Sequence, residues 1–292
     1  MNLALKICRR MVFASLCVLL MVSGLVHGGE IEPYRYVETD ESLNYLLKLP
    51  AGYQSGTDTF PLLLFLHGIA QKGSGSDKAI ARVAADGPFR TMREGAWDSG
   101  LPLIVMGPQS GGLQPWWRGK EVLRILRHAE QTYRVDPDRI YLSGISMGGR
   151  SVWWVTEEMP EKFAAIVPAS TWSGGVFPPC SQMVHLGVWA FHGEKDPLIG
   201  LRSGQRSVEV LNDCEPAPLV PAHLTVLEGV GHGQWDLVYG NRHGDRNLGA
   251  DGQEYADIYR WMLSFDLSEL SLPSAAGQPD AGSRTETADQ RR

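Results

Sequence analysis

The sequence predicts an α/β protein in which one mostly parallel sheet of about eight strands carries helices on both faces. Three observations lead there. Short, continuous apolar runs recur along the chain, each of strand length and bounded by Gly, Pro or polar residues. Segments with apolar residues at helical spacing alternate with them, and strand–helix alternation implies crossovers that cover both faces of a sheet. With 292 residues, 43% hydrophobic and 21% charged, the chain can build one deep core but not two large domains.

The N-terminus reads as an address rather than a strand. Lys6, Arg9 and Arg10 precede an apolar run over residues 11–26, and Val26-His27-Gly28-Gly29 supplies the small residues of a cleavage site. A retained anchor is the competing reading. A bilayer span wants about 20 apolar residues, however, and this run is shorter and interrupted by Ser15, Ser23 and Gly24. Residues 1–28 are therefore expected to be an export signal, residues 29–272 the folded domain, and the compartment secreted or periplasmic.

Strands are expected at residues 34–37, 43–49, 61–66, 103–106, 140–143, 164–167, 188–191 and 223–227, where apolar runs occur. Between them, residues 121–133 place Val122, Leu123, Leu126 and Ala129 on one helical face. Helices are also expected at 147–159, 197–211 and 252–265. Trp153 and Trp154, on the helix at 147–159, are expected in the core. From residue 273 the chain turns small and polar, and such a segment cannot bury enough apolar surface to offset its ordering entropy.

The chemistry gathers at strand ends. Gly144-Ile145-Ser146-Met147-Gly148 is a G-x-S-x-G string that follows an apolar strand and opens a helix, the setting of a nucleophile elbow in an α/β-hydrolase fold. The serine of such an elbow occupies a strained turn, and bulk on either flank would clash with the neighbouring backbone. The N–H of the next residue, Met147, then faces a developing oxyanion. The remaining members arrive in the chain order that this fold requires, serine, acid, histidine. His192-Gly-Glu-Lys-Asp-Pro197 follows the seventh strand, and Asp196 is preferred as the acid over its neighbour Glu194 for its later place in the loop. Gly229-Val-Gly-His-Gly233 follows the last strand and holds His232 among glycines. His67-Gly68-Ile69-Ala70 follows the strand at 61–66, where a second oxyanion donor belongs; the Ile69 N–H is preferred, with Ala70 as the alternative, and His67 reads as structural.

Three stretches together, Tyr45-Leu-Leu-Lys-Leu-Pro-Ala-Gly-Tyr53, Pro61-Leu-Leu-Leu-Phe-Leu-His-Gly68 and Val135-Asp-Pro-Asp-Arg-Ile-Tyr-Leu-Ser-Gly-Ile-Ser-Met-Gly-Gly149, resemble the secreted bacterial esterases of the α/β-hydrolase superfamily. That group includes dienelactone-hydrolase-like, polyhydroxybutyrate-depolymerase-like and feruloyl or acetylxylan esterase-like proteins, some described as predicted peptidases. The resemblance runs from about residue 43 to 265. It implies a carboxylic-ester substrate, small or polysaccharide-linked, and no cofactor. Dienelactone hydrolase itself uses a cysteine nucleophile, and Ser146 stands in its place here.

Two aromatic features are candidates for the substrate pocket. Trp116 and Trp117 follow the fourth strand and Trp172 follows the sixth; any of them could meet a sugar ring or an aromatic acyl group, and Trp117 could equally cap the core. Trp235 is placed to buttress the His232 loop. Arg118 and Arg150 could meet an acidic substrate or simply be solvated.

Of the four cysteines, Cys8 and Cys17 would leave with the signal, and Cys180 and Cys214 would pair in an oxidising compartment. Two unrelated buried thiols are the alternative. A formal net charge of −6 with no basic stripe excludes nucleic acid as an expected partner. His128, His185, His223 and His243 are scattered without a metal-ligand spacing, so no metal is expected. Two further readings remain open: a serine peptidase of the same fold, and a non-catalytic binding protein that has kept the fold.

Overall fold

A computed structural model of the chain describes residues 34–39, 43–111, 116–171, 179–233 and 235–270, all within the unit Pro33–Arg292. The expected leader, the expected tail and Trp172 lie outside the described residues.

Eight strands form one sheet: β1 (Arg35–Val37), β2 (Tyr45–Lys48), β3 (Phe60–Leu66), β4 (Ile104–Pro108), β5 (Val135–Ile145), β6 (Ala165–Ala169), β7 (Gly187–Gly193) and β8 (His223–Leu227). Their order is β1-β2-β4-β3-β5-β6-β7-β8. The β1–β2 and β2–β4 pairs are antiparallel, and every later pair is parallel. The helices are α1 (Asp77–Ile80), α2 (Gly87–Arg93), α3 (Gly119–Thr132), α4 (Met147–Glu158), α5 (Leu201–Asn212), α6 (Asp236–Tyr239) and α7 (Ile258–Leu263).

The apolar runs become central strands because they have two faces to bury. Leu62, Leu64 and Leu66 of β3 join one core with Ile140 and Leu142 of β5, Ile125 of α3 and Val152 and Trp153 of α4. Leu63 and Phe65 point the other way, into a second core with Tyr141, Trp189, Phe89 of α2 and Trp261 of α7. Strand alternation with a period of two divides each apolar run between the two layers. Each fully buried Leu or Phe contributes about 1.5–3 kcal/mol of transfer free energy.

Three local expectations are corrected. The last helix begins at Ile258 rather than at residue 252, because Asp257 caps it by accepting the Tyr259 and Arg260 N–H groups. Residues ahead of that cap pair instead as strands, β9 (Asn247–Leu248) with β10 (Glu254–Tyr255). On α3 the buried face includes Ile125, while Leu123 is half-buried. On α4, Trp153 is buried as expected, but Trp154 is 41% exposed. The turn taken by α4 against the sheet places position 154 outward, with the Arg150 guanidinium 5.2 Å from its ring centroid. No helix among the described residues is long and apolar enough to cross a membrane.

Cys180 and Cys214 form a disulfide that ties the turn after β6 to the end of α5. The bridge spans 34 residues, a loop whose closure is worth up to about 4 kcal/mol in the chain-entropy model. Replacing both cysteines by Ala is expected to lower unfolding stability by about 2–4 kcal/mol. The urea midpoint of the double variant against the oxidised parent checks this, and reduction should move only the parent.

Candidate active site

Ser146 sits between β5 and α4 with φ 50 and ψ −112, a conformation that non-glycine residues rarely adopt. The strain is held from both sides. The Ser146 N–H donates to the Ala169 carbonyl at 2.9 Å, and its own carbonyl accepts from Arg150 N–H at 2.9 Å. The flanking glycines allow the first turn of α4 to press on β3. A Cβ on Gly148 would run into the Leu66 carbonyl, and one on Gly144 would stand 2.6 Å from the Gly148 carbonyl carbon. No side chain fits at either position.

Ser146 Oγ lies 2.8 Å from His232 Nε2, and His232 Nδ1 lies 2.7 Å from Asp196 Oδ2. Asp196 Oδ1 accepts the N–H groups of Leu198 and Ile199, each at 2.9 Å. Burial of the carboxyl disfavours its charged form, but hydrogen bonds from Ile199, His232 and Leu198 outweigh it and hold the group below the ordinary carboxylate range. A carboxylate can only accept, so Nδ1 of His232 carries the proton and Nε2 is left to accept from the Ser146 hydroxyl. The three residues thus form one directed chain of hydrogen bonds from serine to acid.

Glu194, the local rival to Asp196, is occupied elsewhere. Its carboxylate accepts the Gly229 N–H at 2.8 Å, and the Lys195 N–H donates to the Val230 carbonyl at 2.8 Å. The acid loop and the histidine loop are therefore stitched together, which sets the distance between Asp196 and His232. Trp235 adds a second brace. Its ring meets that of His232 edge-on at 5.6 Å, and its Nε1 donates to Ser170 Oγ at 3.1 Å.

Met147 is the first residue of α4, and Ile69 opens a short 3-10 turn, Ile69–Gln71, at the end of β3. First-turn N–H groups have no acceptor within their own helix. The β3 turn runs beside the elbow, since a Cβ on Gly68 would stand 3.6 Å from the Ile145 carbonyl. His67 anchors that turn from beneath: its Nδ1 donates to the Gly68 carbonyl at 2.6 Å, and its Nε2 accepts the Ser110 N–H at 3.0 Å. Burial pushes its pKa down to about 4, so the ring is neutral at ordinary pH and both bonds persist.

Over Ser146 and His232 opens a hollow of about 200 Å³, walled by Ile69, Trp116, Met147, Leu198 and Ile199. Ile69 is 61% and Leu198 74% exposed, so large apolar side chains rim the serine. Trp116 thus lies at the site. Trp117 does not serve as a wall there: it is buried, and its Nε1 donates to the His67 carbonyl at 3.2 Å, so it supports the β3 turn from the core. Leu198 and Ile199 are the wall residues that sequence reasoning missed; an apolar pair directly after Asp196-Pro197 was the available signal. Arg118 lines a neighbouring hollow, and among the described residues no cluster of three or more His, Cys, Asp or Glu could hold a metal ion.

Known proteins place this architecture. A model of the prolyl oligopeptidase family matches residues 117–173, the stretch that contains the elbow. A bifunctional acetylxylan esterase/xylanase of Neocallimastix patriciarum is 28% identical over 145 residues, which cover 48% of this chain and 20% of that one. The chain thus spans about a fifth of that relative's length. Among solved structures, a thermostable esterase superposes with a TM-score of 0.56 at 24% identity, covering 80% of this chain and 62% of the other. A mutant of the feruloyl esterase module from Clostridium thermocellum, complexed with sinapinate, gives 0.54 at 17% identity, covering 81% and 89%.

The depressed Asp196 carboxyl has a consequence for stability. A carboxyl whose folded pKa lies below its unfolded value near 3.9 contributes stability that is complete above that value and lost as pH falls through the folded one. Urea midpoints between pH 6 and pH 2.5 should show that acid loss to be smaller in Asp196→Asn than in the parent. An unchanged profile would mean that Asp196 does not carry its share.

The eight-stranded sheet, its strand order and these likenesses give the chain the fold of the α/β hydrolases.

Proposed function

We propose that the protein is an exported serine hydrolase that cleaves carboxylic esters through an acyl-enzyme on Ser146. The observation that carries this reading is the directed chain Ser146–His232–Asp196, with serine and histidine opening on an apolar-rimmed hollow. His232 Nε2 takes the hydroxyl proton as Ser146 Oγ attacks the acyl carbon, then returns it to the leaving alcohol; water repeats the sequence to free the acid. Asp196 holds the tautomer that lets Nε2 accept and stabilises the imidazolium that forms. The Met147 and Ile69 N–H groups receive the oxyanion, a contribution that in comparable sites is worth about 3–4 kcal/mol per donor. All of this chemistry is supplied by side chains and backbone, so the reading calls for no cofactor.

The substrate reading follows the relatives. An acetylxylan esterase and a feruloyl esterase module lie among them, and the hollow at Ser146 combines apolar walls with an indole at Trp116. We therefore assign the protein to esters borne by plant polysaccharides or to small acyl esters of the same kind. The family model across the elbow favours a second reading, hydrolysis of a peptide bond by the same triad.

Side-by-side turnover of p-nitrophenyl acetate, methyl ferulate and a peptide p-nitroanilide separates the two. The ester reading expects kcat/KM on an ester to exceed that on the amide, and the reverse order overturns it. Ser146→Ala should lower ester turnover by at least about 10³-fold while leaving the urea midpoint unchanged. A fluorophosphonate probe should label the parent at Ser146 and leave the variant unlabelled.

A further inference from the structure

We propose that the outer face of α4 and the start of α3 form a carbohydrate subsite, which takes a sugar ring some two units away from the ester bond. The proposal rests on the ester-hydrolase reading only for its account of why the subsite is there; sugar binding itself is tested separately.

A second hollow, of about 270 Å³, lies beside the one at Ser146, and the two share Trp116 as a common wall. Its floor and sides are Trp117, Arg118, Gly119, Trp154 and Glu158. On α4, positions 150, 154 and 158 recur every four residues and so form one ridge. That ridge carries Arg150, Trp154 and Glu158. Trp154 is 41% exposed although indoles are normally well covered, and nothing in the core requires a tryptophan there, since Trp153 beside it already fills the interior.

The chemistry of this hollow selects its ligand class. Of its three indoles Trp117 is buried, which leaves Trp116 and Trp154 to supply flat apolar faces. Arg118 contributes only donors, and Glu158, whose carboxylate reaches the first residue of α3, contributes only acceptors. Opposite charges in one small hollow favour a neutral ligand over an anion or a cation. A neutral molecule with both a flat apolar face and a rim of hydroxyl donors and acceptors is a pyranose. Apolar acyl groups have a separate place among Ile69, Leu198 and Ile199.

Distance sets the register. Trp154 lies eight positions along from Ser146, about 12 Å at the helical rise of 1.5 Å per residue. That separation is roughly two linked sugar rings, so a monosaccharide ester held at Ser146 falls short of Trp154 and a trisaccharide ester reaches it. The ridge therefore makes the site selective for oligomeric substrates over small ones.

The test has a binding arm and a turnover arm. In the first, xylotetraose without ester groups is titrated calorimetrically into the parent, Trp154→Ala and Trp154→Phe. Affinity should fall about fivefold in the Ala variant, a loss of roughly 1 kcal/mol, and recover in part in the Phe variant. In the second, kcat/KM is measured on p-nitrophenyl acetate, an acetylated xylose and acetylated xylotriose. Trp154→Ala should raise KM for the trisaccharide ester alone. Absence of binding to the parent, equal binding by the Ala variant, or equal losses on all three esters overturns the subsite. Trp154-dependent binding without ester cleavage keeps the subsite and overturns the proposed activity. The exposed position of Trp154 keeps the variants folded, which matching urea midpoints verify.

Discussion

Everything at the site depends on one close approach of backbone to backbone. The first turn of α4 lies so near the end of β3 that a methyl group at Gly148 would occupy the Leu66 carbonyl. That contact goes with the sharp turn at Ser146, and Ser146 and Met147 at the start of α4 line the hollow. The strained φ of 50 is tolerable because parallel pairing of β5 with β3 and β6 holds both sides of the turn. A strained residue persists only where its surroundings over-determine it, and here two buried strands do so.

The second constraint is the stitching of two loops that are 36 residues apart in sequence. Neither the acid loop nor the histidine loop is positioned by its own local structure. The Glu194 carboxylate on Gly229 and the Lys195 N–H on the Val230 carbonyl join them, and Trp235 leans on His232 from outside. Glu194, the local rival to Asp196, thus helps set the geometry in which Asp196 meets His232. His67 and Trp117 do the same on the opposite side, where a neutral buried ring and a buried indole carry the β3 turn. The His232 loop and the β3 turn are each held by residues that do not line the hollow at Ser146.

How much was legible beforehand follows from which interactions are local. The apolar runs of β3 to β7 announced their strands because burial on both faces leaves little but apolar residues in a parallel sheet, whereas the edge strands β1 and β8 are only partly buried. The elbow was legible because its glycines serve a contact within a few residues of the serine, and the order serine, acid, histidine because strand ends follow chain order in this fold. The start of α7 is not legible because Tyr255 continues the helical spacing of Ile258, Tyr259 and Met262, yet Glu254 and Tyr255 pair with Asn247–Leu248 and Asp257 caps the helix after them.

What the sequence determined by itself, then, is the sheet, its two buried layers and the identity of the three residues that meet at Ser146. These depend on periodicity, on backbone clearance and on chain order, all of which are written locally. Only the tertiary structure decided which tryptophans face outward. Trp116 walls the hollow, Trp117 turns into the core beneath it and Trp154 stands in solvent while Trp153 is buried. Adjacent aromatic residues are indistinguishable by composition. Their fates depend on how each helix is rotated against the sheet, a quantity set by the packing of the whole layer and by no residue alone.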